Sequence, residues 1–273
     1  MALITISRGI GCGGMHISQL VSAGLKLELY DDEKLQNEAI QMGIKPEAIK
    51  DMDEKSPGFF DLILSKRPEI YLDYMGAVVY EVAKRGQGVI VGHGSQMLLR
   101  DFECALHVRI QANEATRIQN LMKYRELSEE AARKLIHKRD QEQRGFFRFA
   151  FHMDWNDPSL YDLIINTEQL GIDLAAKLIM EAARSEEIKA CSLNAVDAMD
   201  RLSFKKRVHA ALLEADANVS NLSFDVPEKG VVEISGFAQT KEEKACILKS
   251  LQALSGVSKI DDHIAVLSSY RGY

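Results

Sequence analysis

Two patterns of hydrophobic and polar residues alternate along the first two thirds of the chain. Short apolar runs typical of β-strands recur, and longer segments with apolar residues at helical spacing separate them. This alternation predicts a mostly parallel sheet covered by helices, because parallel strands need a crossover segment between them. The predicted strands are Leu3–Ser7, Leu27–Tyr30, Gly88–Val91, Ala105–Ile110 and Asp162–Asn166.

Two of the helical segments are long. The stretch from Asp31 to Gln87 is mainly helical and is typical of an insertion that covers a substrate. The prolines that interrupt it are Pro46, Pro57 and Pro68. A second long helix is predicted to start at Ser128, whose hydroxyl suits an N-cap, and to continue into an arginine-rich segment near Arg148. A closing helix is predicted at about Asp173 to Glu187.

The pattern changes after the closing helix. Residues 189–199 mix polar and small residues without a clear period, which is typical of a linker. From Asp200 onward a helix, two strands, a helix and a strand follow one another. We therefore predict an α/β domain at 1–187, a linker at 188–199 and a small α/β domain at 200–273. The predicted elements of the second domain are the helices Phe204–Glu214 and Lys241–Leu254 and the strands Val219–Val226, Val231–Phe237 and Lys259–Leu267.

Composition places the chain among ordinary globular proteins. Of its 273 residues, 46% are hydrophobic and 27% are charged, which argues against a disordered, collagen-like or disulfide-scaffold protein. No apolar run approaches the roughly 20 residues of a membrane-spanning helix, and the start of the chain lacks the layout of a signal peptide. We therefore expect a soluble, cytoplasmic protein without a transmembrane segment. The net charge of −6 disfavours nucleic acid as a partner.

The cysteines lie far apart and form no C-x-x-C pair, so neither a zinc knuckle nor a disulfide framework is suggested. We expect reduced thiols at all of them. They are Cys12, Cys104, Cys191 and Cys246. Cys12 is interpreted as a small residue that fills a loop rather than as a reactive thiol. His107 is interpreted as a packing residue, and Trp155 as a packing residue with base stacking as the alternative.

The strongest local signal is a glycine cluster between the first strand and a helix, in LITISRGIGCGGMHISQL. This order brings several backbone N–H groups and a helix N-terminus to one place, which suits a phosphate group. Glycine is needed there because a side chain would keep an anion away from the backbone. The candidate phosphate-binding residues are Arg8, Gly9, Gly11, Cys12, Gly13, Gly14, Met15 and His16.

Two known motifs are alternative interpretations of this loop. Gly9, Gly11 and Gly14 satisfy the dinucleotide-binding spacing G-x-G-x-x-G, and Asp31 ends the next strand about where a ribose-binding acid would stand. The alternative is a P-loop, G-x-x-x-x-G-K-[ST], whose lysine contacts phosphates and whose hydroxyl holds Mg²⁺. Neither register of that motif finds a lysine or a hydroxyl here. The positive charge would then come from elsewhere in the chain.

An arginine-rich segment offers that charge. Arg139, Arg144 and Arg148 follow one another at near-helical spacing. Further arginines of the region are Arg117, Arg125 and Arg133. Guanidinium groups suit phosphates because each presents a planar fork of donors. The segment predicts a lid that closes on phosphate, with a solvated helix face as the alternative.

Residues 1 to about 185 resemble the cytidylate kinase-like family, relatives of the nucleoside monophosphate kinases within the P-loop kinase fold. The matching pieces are ITISRGIGCGG, LYDDEKL, GVIVGHGSQMLLRDF, ALHVRI followed by Arg117, RDQEQR and YDLIINTEQLG. The resemblance implies a three-layer domain that transfers phosphate from ATP, with Mg²⁺, to a nucleoside monophosphate or a similar small acceptor. It also implies that the loop from Arg8 to His16 holds donor phosphates and that Asp31 and His93 lie toward the acceptor. The three arginines would close on the transferring phosphoryl group.

The sequence departs from the family at two positions. Met15 stands where the family usually has an arginine after the glycines. His93, in Gly92-His93-Gly94, stands where the family usually has an arginine expected to face the acceptor, and imidazole is mostly neutral at pH 7. These departures motivate a second hypothesis, a non-catalytic nucleotide sensor. A dinucleotide-binding oxidoreductase is the third.

Residues from about 200 to 268 resemble a BON domain, a small α/β module usually described as binding phospholipid surfaces or other macromolecules. The matching pieces are FKKRVHAALLEA, GVVEISGFAQT and SGVSKIDDHIAVL. The resemblance implies that this module binds a protein or a lipid surface as its partner.

Overall fold

A five-stranded parallel sheet forms the centre of the first part of the chain. The computed structural model describes residues 2–45, 68–188 and 190–267. The strands are β1 (Leu3–Arg8), β2 (Leu29–Tyr30), β3 (Gly88–Val91), β4 (Ala105–Gln111) and β5 (Leu163–Asn166). They lie in the order β2-β3-β1-β4-β5, and every pairing is parallel. The predicted strands are therefore confirmed, and the second is shorter than expected.

Helices cover both faces of this sheet. They are α1 (Gly14–Leu25), α2 (Asp32–Gln41), α3 (Pro68–Ala83), α4 (Ser95–Leu98), α5 (Glu114–Arg125), α6 (Glu129–Phe151) and α7 (Thr167–Arg184). Ile4 and Ile6 of β1 pack with α1 and α7 on one face, and Leu3 packs with α3 on the other. This follows because successive side chains of a strand point to opposite faces. The three-layer α/β architecture is as predicted. Each helix in the described ranges is too short or too polar to cross a membrane.

The region between β2 and β3 is helical where the structure describes it. α2 follows β2 directly, and α3 begins at Pro68. Proline suits the first turn of a helix, because an N–H at that position would have no intrahelical acceptor. Within the described residues Pro68 is the first residue of α3. Pro46 and Pro57 lie outside the described residues.

Capping residues set the starts of α6 and α7. Ser128 is the N-cap of α6, and its hydroxyl accepts a backbone N–H of the first turn at 3.2 Å, as predicted. α7 begins at Thr167, earlier than predicted, because the Asn166 side chain accepts a first-turn N–H at 3.0 Å. Gly171, with φ of 69°, then kinks α7.

The predicted linker is helical from Leu193 onward. Ser192 caps α8 (Leu193–Glu214), which begins well before the predicted start at Phe204. Met199 belongs to the core of the first domain, whereas Phe204 and Val208 belong to a second core. A helix that buries one face shows apolar residues at a regular helical spacing. α8 buries two faces, so its apolar residues do not follow that spacing and the sequence pattern is irregular. A continuous helix thus replaces the predicted connection, and the domain bounds themselves stay predictions.

Polar contacts hold α8 against α3. The Ser203 hydroxyl donates to the Ala77 carbonyl oxygen at 2.9 Å. The Asp73 carboxylate of α3 is buried, and it accepts a hydrogen bond from Lys206 Nζ at 2.8 Å and contacts His209 Nδ1. Because a buried carboxylate is costly without such partners, these contacts favour one placement of α8 on the first domain.

A second, smaller sheet follows α8. Its strands β6 (Leu222–Asp225), β7 (Val231–Ala238) and β8 (Lys259–Val266) lie in the order β6-β7-β8. β6 and β7 are antiparallel, β7 and β8 are parallel, and α8 and α9 (Lys241–Ala253) contribute to the same core. β6 is shorter than predicted because Val219–Asn221 forms a 3₁₀ turn. This order is consistent with a second small α/β domain, and the likeness to a BON domain stays a prediction.

A disulfide joins Cys104, which precedes β4, to Cys191, which precedes α8. Their Cα atoms lie 4.9 Å apart although 87 positions separate them in the sequence. The expectation of reduced thiols was wrong for this pair, because spacing along the chain does not show which cysteines the fold brings together. Cys12 and Cys246 are free.

His107 of β4 packs across the sheet, which confirms the interpretation from sequence. Its Nδ1 lies 2.8 Å from the Thr5 hydroxyl of β1. Burial lowers the pKa of the imidazole below its ordinary value of about 6.5. The unfolded chain therefore binds this proton more readily than the folded protein does. The stabilising contribution is complete above about pH 6.5 and is lost as the pH falls toward the lower folded-state pKa.

Thermal unfolding of the wild type and of His107→Gln at about pH 7 and about pH 5 tests this linkage. We expect the melting temperature to fall less between the two pH values in the variant, since glutamine does not titrate. An equal fall in both proteins would show that His107 is not the source of the pH dependence.

Candidate phosphate-binding site

The glycine loop lies at the carboxyl end of β1, the central strand of the sheet, and leads into α1. Gly11 and Gly13 have φ of 81° and 79°, in the left-handed region that favours glycine. A Cβ atom at Gly11 would lie 2.8 Å from the backbone carbonyl oxygen of Arg117. Glycine at position 11 is therefore required both by backbone conformation and by the close approach of a second backbone segment.

The N-terminus of α1 faces the same place. Its N-cap is Gly13, which has no side chain with which to cap the helix. The first helical hydrogen bond runs from the Ile17 N–H to the Gly13 carbonyl at 3.1 Å. The N–H groups of Gly14, Met15 and His16 precede it and have no acceptor within the helix. A helix end of this kind attracts an anion.

A cavity of about 300 Å³ opens over the loop and the helix N-terminus. The side chains of Arg8, Arg125 and Arg139 contribute to its wall. Guanidinium groups and backbone N–H groups together are the donors that phosphate oxygens accept from most readily. The predicted loop residues line the cavity, with Cys12 as the exception.

Cys12 points away from the cavity into the core, where it is 2% exposed. Burial raises the pKa of its thiol, so the nucleophilic thiolate is disfavoured at neutral pH. The interpretation of Cys12 as a small loop-filling residue is confirmed.

Arg8 supplies a cation close to the position where a P-loop lysine is missing. A Cβ atom at Gly14 would lie 2.6 Å from the Arg8 Cβ atom, so glycine at position 14 leaves room for the aliphatic stem of Arg8. Met15 also lines the cavity, but it packs against the core between the sheet and α1. The charge of the site is thus carried by arginines from β1, α5 and α6 and not by the residue that follows the glycines.

The predicted lid arginines differ in their placement on α6. Arg139 lines the cavity, and its guanidinium donates to the Glu142 carboxylate at 3.1 Å. Arg144 and Arg148 occupy exposed positions and are not part of the cavity wall. Their closing role stays a prediction.

Helix α5 contributes residues that sequence reasoning did not assign to the site. Asn120, Tyr124 and Arg125 line the cavity. Asn120 and Tyr124 are four positions apart and therefore lie on one face of the helix, which was the available signal. The sequence alone could not show that this part of α5 lies beside the glycine loop.

The predicted acceptor residues lie at the carboxyl ends of β2 and β3. Asp31 is the N-cap of α2, and its carboxylate accepts the Lys34 N–H at 3.1 Å. The next residue, Asp32, is 4% exposed, and its carboxylate lies 2.9 Å from Nε2 of the buried His93. Asp31 thus caps a helix, and Asp32 is the acid that meets His93. Sequence reasoning missed Asp32 because two adjacent acids cannot be told apart without their burial.

Trp155 packs beneath the site, as expected. It is 3% exposed, and its indole Nε1 donates to the Ser7 hydroxyl at 2.8 Å. The guanidinium carbon of Arg109 lies 4.1 Å from the centre of its ring. These contacts fix the segment that follows α6 against the strand that leads into the glycine loop.

Strand order and loop geometry together define the class of protein. β1 lies between β3 and β4, whereas in the dinucleotide-binding order β1 neighbours β2. A phosphate-binding loop between the central strand and the first helix of such a sheet is the arrangement of a P-loop kinase-type domain. The dinucleotide-binding interpretation of the glycine spacing is accordingly disfavoured.

Comparison with known families agrees with this class. Residues 3–169 match the cytidylate kinase-like family, and the chain belongs to that family. A cytidylate kinase from Pyrobaculum islandicum is 25% identical over 182 residues, which are 66% of this chain and 92% of that protein.

One of two similar solved structures shows the same fold at low identity. An uncharacterized protein from Eubacterium ventriosum has a TM-score of 0.54 at 20% identity, over 67% of this chain and 97% of that one. A shikimate kinase from Acinetobacter baumannii has a TM-score of only 0.40 at 15% identity, over 67% of this chain and 93% of that one. Family and fold together support a nucleotide kinase-type phosphotransferase.

Proposed function

We propose that this protein transfers the γ-phosphoryl group of ATP to a nucleoside monophosphate or a similar small acceptor. The observation that carries the proposal is the convergence of the glycine loop, the N-terminus of α1 and three arginines on one cavity at the carboxyl end of β1. Phosphoryl transfer needs little covalent participation from the protein, because positioning and charge stabilisation account for most of the acceleration. The similarity to a cytidylate kinase supports a nucleotide as the acceptor.

The donor phosphates would lie on the N–H groups of the loop and of the first turn of α1. Arg8 and Arg139 would neutralise the negative charge of the phosphates, as the lysine does in a standard P-loop. The exposed ring of Tyr124 lies on the wall of the same cavity and offers an aromatic surface to a nucleotide base. These residues fit a nucleoside triphosphate.

A protein-held magnesium ion fits these residues less well. Met15 and His16 stand where a P-loop hydroxyl would be, and thioether and imidazole groups are poor ligands for Mg²⁺. Within the described ranges, no group of three or more His, Cys, Asp or Glu residues could hold a metal ion. A magnesium requirement carried by the nucleotide itself stays a prediction, which chelation with EDTA tests.

Screening the purified full chain with ATP, Mg²⁺ and each nucleoside monophosphate tests the proposed function. Turnover with at least one acceptor supports it and identifies the acceptor. Absence of turnover with all of them, under conditions in which a related cytidylate kinase is active, would contradict it. Titration of ATP by calorimetry in the same preparation separates loss of binding from loss of transfer.

The burial of His93 favours one alternative, a nucleotide sensor that binds without transferring phosphate. Its side chain is fully buried beside Asp32, so it does not present an open cation in the manner of the family's arginine. ATP binding without transfer would support the sensor, and failure to bind any nucleotide would exclude it. Binding of NAD or NADP in a parallel calorimetric titration would support the oxidoreductase hypothesis.

Two arginines of the predicted lid segment, Arg139 and Arg144, are expected to differ in their effects. Arg139→Ala should weaken ATP binding by about tenfold or more, since a hydrogen bond to a charged group contributes about 1.5–3 kcal/mol. Arg144→Ala should slow transfer or weaken ATP binding, with the melting temperature nearly unchanged, if the lid prediction is right. Calorimetry and steady-state kinetics measure both.

Arg133→Ala is the matched control on the same helix. Arg133 pairs with Glu114 and Glu129 on an exposed surface, and such pairs contribute little. An Arg144→Ala protein that behaves like Arg133→Ala in both assays would assign Arg144 to a solvated helix face, and the lid prediction would fail.

Acidic residues on the exposed face of the second sheet are relevant to the partner of the BON-like module. Asp225, Glu233 and Asp261 are direct neighbours across β6, β7 and β8. Lys205 and Lys259 pair with two of these acids at 2.7 and 2.8 Å. Because lysines pair with two of the three carboxylates, this face carries little net charge and favours neither partner, so a protein or a lipid surface stays a prediction.

A further inference from the structure

Side chains from distant parts of the chain hold three successive carbonyl groups of the glycine loop. Nε of Arg117 donates to the Ile10 carbonyl oxygen at 2.7 Å, and Nδ2 of Asn120 donates to the Gly11 carbonyl oxygen at 2.8 Å. The hydroxyl of Thr167 donates to the carbonyl oxygen of Cys12 at 3.2 Å. Arg117 and Asn120 belong to α5, whereas Thr167 is the first residue of α7.

Holding a carbonyl also orients the N–H of the same peptide unit. In a planar trans peptide the C=O of one residue and the N–H of the next point in opposite directions. The bonds to the carbonyls of Ile10 and Cys12 therefore turn the N–H groups of Gly11 and Gly13 away from α5 and α7. Both glycines line the cavity.

The intervening peptide unit behaves differently. The Cys12 N–H returns to the Gly9 carbonyl oxygen at 3.3 Å and closes a tight turn. Cys12 does not line the cavity. Alternate peptide units of the loop are thus directed to the cavity, while the unit between them closes the turn.

The Arg117 guanidinium is itself held in place. Its NH1 and NH2 groups donate to the two oxygens of Asp140, on α6, at 2.8 and 2.7 Å. A carbonyl that accepts from a charged donor polarises its peptide unit, which makes the N–H of that unit a stronger donor. Arg117 therefore strengthens the Gly11 N–H as a donor to phosphate, without itself lining the cavity.

We infer that Arg117 and Thr167 are positioning residues of the phosphate loop, which set the direction of the Gly11 and Gly13 N–H groups. This inference rests on the proposed function, since it assigns those N–H groups to the phosphates of the bound nucleotide. Asn120 holds the turn between them and also faces the cavity. The loop thus binds phosphate through backbone N–H groups, whose direction is set by side chains that bond the carbonyl side of the same peptide units. The site does this without a P-loop lysine.

A pair of substitutions at Thr167 tests the inference on the full chain. Thr167→Val keeps the shape of the side chain and removes the hydroxyl donor, whereas Thr167→Ser keeps the hydroxyl and removes a methyl group. We expect Thr167→Val to weaken binding of ATP and of inorganic tripolyphosphate by about tenfold, and Thr167→Ser to bind nearly as the wild type does. If Thr167 served only for packing, Thr167→Ser would reduce the affinity more than Thr167→Val, because serine lacks the methyl group.

Arg117→Lys provides a second variant, since lysine keeps the charge but cannot bond both the Ile10 carbonyl and the two oxygens of Asp140 at once. Affinity for tripolyphosphate should fall by about tenfold or more in the folded variant, whose fold is checked by circular dichroism. Wild-type affinity in both Thr167→Val and Arg117→Lys would overturn the inference and leave the proposed function standing. Failure of the wild type to bind ATP or tripolyphosphate would overturn both.

Discussion

Gly11→Ala is expected to weaken ATP binding by about 100-fold or more, because the loop would lose at least two hydrogen bonds to the charged phosphates, each of which contributes about 1.5–3 kcal/mol. The left-handed conformation, with φ of 81°, costs an L-residue about 1–2 kcal/mol. The added Cβ would also lie 2.8 Å from the Arg117 carbonyl oxygen, which belongs to a helix backbone and cannot rotate away. The loop must therefore shift, and its N–H groups shift with it. Calorimetric titration of ATP measures the effect.

Gly145→Ala is the matched control for this substitution. Gly145 lies inside α6, and apart from the helix's own backbone no heavy atom of the described residues lies within 4 Å of the position that a Cβ atom would take there. Alanine in a helix interior is favoured over glycine by about 0.5–1 kcal/mol, so this variant should melt slightly higher and bind ATP as the wild type does. An unchanged ATP affinity in Gly11→Ala would show that the loop does not bind phosphate in this conformation.

Cys191→Ser is expected to lower the free energy of unfolding by about 4 kcal/mol under non-reducing conditions. The disulfide with Cys104 closes a segment of 87 residues, and the entropy that such a crosslink removes from the unfolded chain grows with the length of the closed segment. Denaturant titration of the wild type with and without a reductant should reproduce the same loss. Cys246→Ser, at an exposed free cysteine, should leave stability unchanged.

Thiol titration in denaturant checks the bond itself. The unreduced wild type should show two reactive thiols, those of Cys12 and Cys246. Four reactive thiols would show that Cys104 and Cys191 are reduced in the preparation, and the predicted loss of stability on substitution would then not occur.

Local sequence determined the strands of the first sheet and the start of α6. The run Gly88–Val91 was predicted at the residues where the strand is found, because a strand buried on both faces needs a continuous apolar run. Ser128 marked the start of α6, because an N-cap needs only a hydroxyl and the N–H groups within the next turn. The order strand, glycine cluster, helix was sufficient to locate the loop at the centre of the candidate site.

Local sequence was insufficient for α8. Its apolar residues serve two cores, that of the first domain at Met199 and that of the second at Phe204. Prediction of a helix from the spacing of its apolar residues assumes that one face is buried. It therefore fails for a helix that is buried on two faces. The placement of this helix against α3 was decided by packing and by the buried Asp73 carboxylate.

The sequence by itself thus determined the parallel sheet, the glycine loop and the family, whereas only the tertiary structure decided which side chains surround the loop. The donors that hold the carbonyls of Ile10, Gly11 and Cys12 stand 107, 109 and 155 positions further along the chain. The disulfide and the contact between Asp32 and His93 also join residues far apart in sequence. Strands, caps and glycine turns depend on interactions within a few residues, so their signals lie in short stretches of sequence. Contacts between distant side chains depend on how the elements pack, and no local period or spacing records them.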